Sequence, residues 1–278
     1  MKVYEGQVWV LDFDGVICDS VEESTIAAFR TARRVWPEVL DVPRLLGDEP
    51  PAWMMRRMEE LRCVVEHGYE NVLLIRLLWE EQRVSETSTK GTHALRPKEI
   101  IYNWAFLKET LVIRWKCDTQ ALSDEFAFTR DEWIKRDRLS WLARNRLYPG
   151  VKPALLTAPS PVYICTTKHS RFVHELLQSF GITNIEEKNI FGLGSGPKAE
   201  VVANIARRHP QMYIHFIEDR LEALLETMEL FLTVGMMHRL SLHFAVWGYN
   251  VYDSHIKAER YSPIIELLDL DAFISRVS

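Results

Sequence analysis

Apolar positions fall along this chain in two different rhythms. Residues 7–11 (QVWVL) form a short apolar run that stops at Asp12-Phe13-Asp14-Gly15, the pattern of a buried strand ending in a loop. From residue 21 to about 147 the spacing becomes helical. Ala27, Ala28, Phe29 and Ala32 support a helix over 21–35, with Ser20 and Glu23 spaced as a capping box at its start. Over 50–83, Trp53, Met54, Met58, Leu61, Val64 and Val65 keep helical spacing, and Tyr69, Val72, Leu73, Ile75, Leu77 and Leu78 continue it. The polar stretch 84–96 predicts a loop. Pro97 suits the first position of a helix over 97–116, and a further helix is predicted over 118–147.

At Tyr148-Pro149-Gly150 the rhythm changes. Strand-like runs appear at 161–165, 213–217 and 242–247, with a weaker one near 189–191. Helical patterns separate them at 169–180, 197–208 and 220–231, and a last helix is predicted over 263–276. This alternation predicts an α/β fold, a Rossmann-like three-layer core with a parallel sheet. The core would comprise residues 1–15 and 148–278, and residues 16–147 would be an all-helical insertion. No internal repeat or low-complexity segment interrupts this plan.

Composition narrows the function classes. The chain has 278 residues, 47% apolar and 26% charged, which is ample for a buried core. A net charge of −5 without a basic tail gives no electrostatic footprint for nucleic acid. No run of 18 apolar residues predicts a membrane span, and the first residues lack the apolar core of a secretory leader. Cys18, Cys63, Cys117 and Cys165 lie far apart, without a CxxC pair, so reduced thiols in a cytoplasmic or other reducing soluble compartment are expected. The nine histidines form no HxxxH or HExxH pattern, which argues against zinc. Trp53, Trp104, Trp115 and Trp133 sit on helical faces as core residues. Arg56-Arg57 is expected on a solvated face.

In an open parallel sheet, ligands bind at the carboxyl ends of the strands. Asp12 and Asp14 follow the first strand; Thr166, Thr167 and Lys168 follow the second. Gly192, Gly194, Gly196 and Lys198 lie near the third, and Glu218 and Asp219 follow the fourth. Acids, hydroxyls and lysines at one edge suit a metal ion plus a phosphate. Two carboxylates as close as Asp12 and Asp14 repel unless a cation neutralises them. Mg²⁺, a hard cation with oxygen ligands, meets that need, and Asp12, Asp14, Glu218 and Asp219 are its expected ligands. Asp12 is then placed to attack phosphorus, with Asp14 as acid and then base. Gly15 permits a tight turn beside the ligand. Thr166 and Lys198 would hold phosphate oxygens, Lys198 from a helix start that also favours anions, and Thr167 is a further phosphate-binding position. GLGSGPK lacks P-loop spacing, so a glycine-rich turn before a helix is its better account.

The string DFDGVICDS (Asp12 to Ser20) resembles motif I of the haloacid dehalogenase superfamily. VYICTTK, with Thr166, is similar to motif II; GPK, ending at Lys198, to motif III; and IHFIEDR, with Glu218 and Asp219, to motif IV. The order matches and the resemblance covers about half the chain. Ala223 departs from the pattern, standing where members often carry a second acid, with Glu222 beside it. The resemblance implies a Rossmann-like core, Mg²⁺, an aspartyl-phosphate mechanism and a helical cap that closes over the site. The expected activity is a phosphomonoester hydrolase acting on a small phosphorylated metabolite. A phosphomutase, or a catalytically idle binding protein on the same fold, are the alternatives.

Overall fold

The computed structural model describes residues 4–40, 47–87 and 95–278. In chain order its elements are β1 (Gly6–Leu11), β2 (Cys18–Asp19), α1 (Val21–Val35), α2 (Ala52–Leu61), α3 (Gly68–Thr87), α4 (Pro97–Arg114) and α5 (Thr119–Ala143). They continue with β3 (Arg146–Leu147), α6 (Val151–Thr157), β4 (Val162–Cys165), α7 (Ser170–Phe180), β5 (Ile190–Phe191), α8 (Lys198–Arg208) and β6 (Met212–Glu218). The chain ends with α9 (Leu221–Thr233), β7 (Leu240–Ala245), α10 (Tyr252–Glu259), β8 (Ile265–Leu268) and α11 (Leu270–Val277). The chain divides into two compact units, residues 1–19 with 146–278 and residues 20–145. The borders fall at 19 and 146 because β2 and β3 pair antiparallel, Cys18 opposite Leu147 and Asp19 opposite Arg146.

The first unit is an α/β structure with a six-stranded sheet in the order β5-β4-β1-β6-β7-β8. Every pairing in it is parallel. Strands buried on both faces need continuous apolar runs, and Val8, Trp9, Val10 and Leu11 are all buried. On one face Val8, Val10, Ile214, Phe216, Leu242 and Phe244 pack with Val202, Ile205, Leu224 and Phe231 from α8 and α9. The chain leaves β1 towards β4 and leaves β6 towards β7, so the connections diverge between β1 and β6 and open a crevice at their carboxyl ends.

On the opposite face Trp9 stacks on His215, ring centroids 4.3 Å apart. His215 Nδ1 lies 3.0 Å from His243 Nε2, and His243 Nδ1 lies 3.2 Å from Glu266 Oε2. Burial pulls both histidines down to about 4; for His243, its neighbour His215 adds to the effect.

The second unit is helical. Helix α1 packs on α3 and α5. Glu23 is buried in α1, and Arg130 Nε and Nη2 donate to its two oxygens at 2.7 and 2.8 Å. Trp141 Nε1 donates to the same carboxylate at 2.9 Å. The expected capping box is therefore absent: Ser20 makes no side-chain cap bond, and Glu23 faces α5 instead of the helix start. A buried acid satisfied by a guanidinium fork gains more than a helix cap supplies. Helix α5 is broken at Asp137, whose carboxylate accepts the backbone N–H of Ser140 at 3.0 Å and restarts the helix. The loop expected over 84–96 falls partly outside the described residues; α3 runs to Thr87, and Pro97 opens α4.

One expectation is corrected at the C-terminal end. Residues 263–276 are not a single helix but β8 followed by α11. Ile264-Ile265-Glu266-Leu267-Leu268 is too short an apolar run for its period to decide between helix and strand. Pairing with β7 decides it, with Leu242 beside Ile265 and Phe244 beside Leu267. Asp269 then caps α11 by accepting the N–H of Ala272 at 2.8 Å. Two helices, α6 and α10, were also not foreseen. Among the described residues no helix is long and apolar enough to cross a membrane.

Two stability predictions follow from these contacts. Arg130→Met leaves Glu23 buried without its cation and should cost about 3–5 kcal/mol in urea unfolding; an unchanged midpoint would show that the pair is replaceable. The histidine pair sets a pH dependence. Its folded-state pKa values lie below the ordinary value of 6.5, so the unfolded chain takes up protons first as pH falls. This contribution to stability is complete above pH 6.5 and declines as pH drops towards 4. A His215→Gln/His243→Gln variant should show a shallower decline of the urea midpoint over that window.

Candidate active site

The carboxyl end of β1 delivers Asp12, whose N–H donates to Ile217 O on the neighbouring β6 at 3.0 Å. The end of β6 delivers Glu218 and Asp219. All three acids are buried, at 5%, 0% and 2% exposure. Each offers an oxygen within 4.8 Å of the others. Lys198, the first residue of α8, reaches into the same place, with Nζ 3.2 Å from Asp12 Oδ2 and 2.5 Å from Glu218 Oε2.

This gathering of charge shifts Asp12, Glu218 and Lys198. Burial first, then the Glu218 carboxylate, pushes Asp12 up to about 7. Burial, and secondarily Asp219, pushes Glu218 up to about 7 despite Lys198. Burial alone would pull Lys198 down, but Asp12 and Glu218 more than offset it and hold the ammonium firmly charged. Cys165, buried nearby, is pushed up to about 12 by burial and stays a neutral thiol.

Asp12 Oδ1 is buried without a hydrogen-bond partner. Orphaned buried oxygens are costly. An unpartnered carboxylate oxygen inside a set of three converging acids fits a hard divalent cation such as Mg²⁺, which takes oxygen ligands and would relieve the repulsion. Asp12, Glu218 and Asp219 are the residues that would hold it.

Asp14 is the fourth acid expected near that cation. The buried Nζ of Lys168 donates to Asp14 Oδ1 at 3.0 Å and Oδ2 at 3.2 Å. Gly15 follows with φ +91°, a conformation L side chains rarely adopt, and a Cβ there would overlap the Asp219 carboxylate. Thr166 ends β4 buried, and its hydroxyl accepts the N–H of Lys168 at 3.3 Å. Thr167 is half-buried beside it. Glu222 points away: its side chain is 69% exposed and lies 3.9 Å from Arg220. The arrangement thus supplies a buried carboxylate beside a fixed ammonium, a second carboxylate clamped by a second lysine, and a strand-end hydroxyl.

The sequence reading missed the loop after β7, Val246-Trp247-Gly248-Tyr249-Asn250. Tyr249 donates its N–H to Asp219 Oδ2 at 2.6 Å and its hydroxyl to Asp19 Oδ1 at 2.7 Å. Trp247 Nε1 donates to Val16 O at 3.2 Å. A Cβ on Gly248 would meet both Asp219 and the carbonyl of Gly15. The signal was available: the rule that sites form at the carboxyl ends of parallel strands applies to β7 as much as to β1, β4 and β6.

No protein-family model matches the sequence, and no curated protein matches it. Solved structures do match in shape. A protein described as a predicted phosphatase from Clostridium acetobutylicum is 13% identical with a TM-score of 0.56, covering 99% of this chain and 98% of its own. A haloacid dehalogenase-like family hydrolase from Streptococcus pneumoniae is 15% identical with a TM-score of 0.50, covering 98% and 99%. A protein described as a predicted phosphoglycolate phosphatase from Haemophilus somnus is 16% identical with a TM-score of 0.51, covering 88% and 87%. The chain therefore has the fold of haloacid dehalogenase-like hydrolases.

Gly248→Ala should force Asp219 and the Gly15 turn apart and lower stability by about 1–3 kcal/mol. Thermal unfolding checks this; an unchanged melting temperature would show that the loop yields freely.

Proposed function

We propose that the protein is a Mg²⁺-dependent phosphomonoester hydrolase acting on a small phosphorylated metabolite. The observation that carries this reading is the buried Asp12 carboxylate, held beside Lys198 with one oxygen unpartnered and two further acids converging on it. A carboxylate in that position is a nucleophile towards phosphorus, and the adjacent ammonium neutralises charge on the phosphoryl oxygens. Bound Mg²⁺ would add Lewis-acid stabilisation of the same charge and cancel the repulsion among the acids.

The residues of the chain divide the remaining tasks. Asp12 attacks phosphorus, an aspartyl phosphate forms, and the bond to the ester oxygen breaks. The leaving oxygen needs a proton, and Asp14 is the acid that supplies it; the same group, now ionised, takes a proton from the water that hydrolyses the acyl phosphate. Lys168 holds Asp14 by both oxygens and so fixes the direction from which the proton arrives. Thr166 and Lys198, with Gly15 and Thr167 beside them, bind the phosphoryl group. Glu218 and Asp219 complete the cation site, and the Tyr249 N–H orients Asp219. The helical unit, residues 20–145, would serve as the cap that selects the substrate. The fold shared with haloacid dehalogenase-like hydrolases agrees with this chemistry.

Release of phosphate from a panel of phosphorylated metabolites tests the reading. Turnover should require Mg²⁺ and cease with EDTA. Asp12→Asn should abolish it, and Asp14→Asn should lower kcat about 10²–10⁴-fold, the range of a lost general acid. Turnover that persists in Asp12→Asn would exclude Asp12 as the nucleophile.

A further inference from the structure

The helical unit contains a cavity of about 430 Å³ made of its own residues, on α1, α5 and the segment before α2. Arg30, Arg33, Arg34 and Arg136 line it, together with the carboxylates of Asp48 and Glu132. Glu49 and Glu125 pair with Arg30 and Arg34 at 3.3 and 2.8 Å, which leaves Arg33 and Arg136, sharing Asp48, as the least compensated cations of the lining. Concave walls focus the field of these two guanidiniums on an incoming anion. The volume lies within the range of small-molecule sites, about 300–1,000 Å³.

The floor is rigid. Trp133 is 3% exposed, and the Arg30 guanidinium lies 4.0 Å from its ring centroid. Arg30 is further fixed by donating from Nε to Asp48 O at 3.2 Å and from Nη2 to Glu49 Oε1 at 3.3 Å. Arg34 is held by Glu125 Oε1 at 2.8 Å, whereas Arg33, which also donates to Gly47 O, and Arg136 share one carboxylate. Asp48 reaches Arg33 at 3.3 Å and Arg136 at 3.5 Å, one oxygen to each, from a half-exposed side chain. Long single-pronged pairs of this kind contribute little to stability. Their geometry shows what the cavity accepts, since Asp48 spans two guanidiniums with two oxygens as an external anion would. A phosphate or carboxylate pair that engaged each fork with two bonds would be the stronger ligand.

We propose that this cavity binds a small multivalent anion bearing at least two phosphate or carboxylate groups, at a site of the helical unit built independently of Asp12 and Lys198. The test is isothermal titration calorimetry of the full chain in a metal-free buffer without multivalent anions, with inorganic pyrophosphate and, separately, citrate. Saturable binding of at least one of them is expected, weakened tenfold or more by Arg33→Ala/Arg136→Ala and progressively by added salt. Pyrophosphate binding without citrate binding identifies phosphate as the preferred group, and the reverse identifies carboxylate. Arg136 is 68% exposed on its side chain, so Arg136→Gln alone leaves the fold in place and should weaken binding at least threefold. Absence of binding to the wild type, or an affinity that survives both variants, overturns the proposal.

Discussion

The structure of the first unit turns on one electrostatic constraint: three carboxylates, of Asp12, Glu218 and Asp219, converge in a buried space, where the Lys198 ammonium reaches Asp12 and Glu218. Burying like charges together is among the costliest things a fold can do. The sheet makes it unavoidable here. Asp12 and Glu218 stand at the ends of adjacent parallel strands, with Ile217 accepting the Asp12 N–H, so neither acid can withdraw without unzipping the register between β1 and β6. The repulsion stays in place as a pre-organised demand for positive charge. The Oδ1 of Asp12 is held in this space but not consumed by hydrogen bonds, the condition that the proposed nucleophile requires.

Surrounding features keep the constraint from relaxing. Gly15 and Gly248 allow two loops to close on Asp219, where any side chain would intrude, and the Tyr249 N–H pins its Oδ2. Lys168 pairs with Asp14 and Lys198 with Asp12, so that the two acids of the Asp12–Asp14 turn have different cations beside them. Two carboxylates with different cations can take different parts in one reaction, one as nucleophile and one as proton carrier.

Much of this was legible in the sequence, because strand ends in a parallel sheet have a fixed chemical meaning. QVWVL followed by DFDG, and YIHFI followed by Glu218-Asp219, could be placed together before any coordinates existed. The haloacid dehalogenase resemblance and the observed fold agree on that core. What escaped has physical reasons. The run Ile264–Leu268 has no decisive period, so only its pairing with β7 reveals a strand. Lys168 could not be assigned to Asp14 because the pair is 154 residues apart in sequence. Glu23 looked like a cap and became a buried acid, because the guanidinium that claims it comes from α5. In the same way Arg56-Arg57 stood out as adjacent charges, whereas the cavity collects arginines from α1 and from α5, residues that only packing brings together.

The central claim is that the Asp12–Glu218–Asp219 cluster is resolved by a divalent cation. Its most direct test is the thermal unfolding of the wild type with and without Mg²⁺ near pH 7, beside Asp219→Asn. A cation bound only by the folded chain stabilises it by about 2.7 kcal/mol at a hundred times its Kd. The melting temperature of the wild type should therefore rise with Mg²⁺, and that of Asp219→Asn should rise much less. A wild-type melting temperature indifferent to Mg²⁺ would contradict the claim.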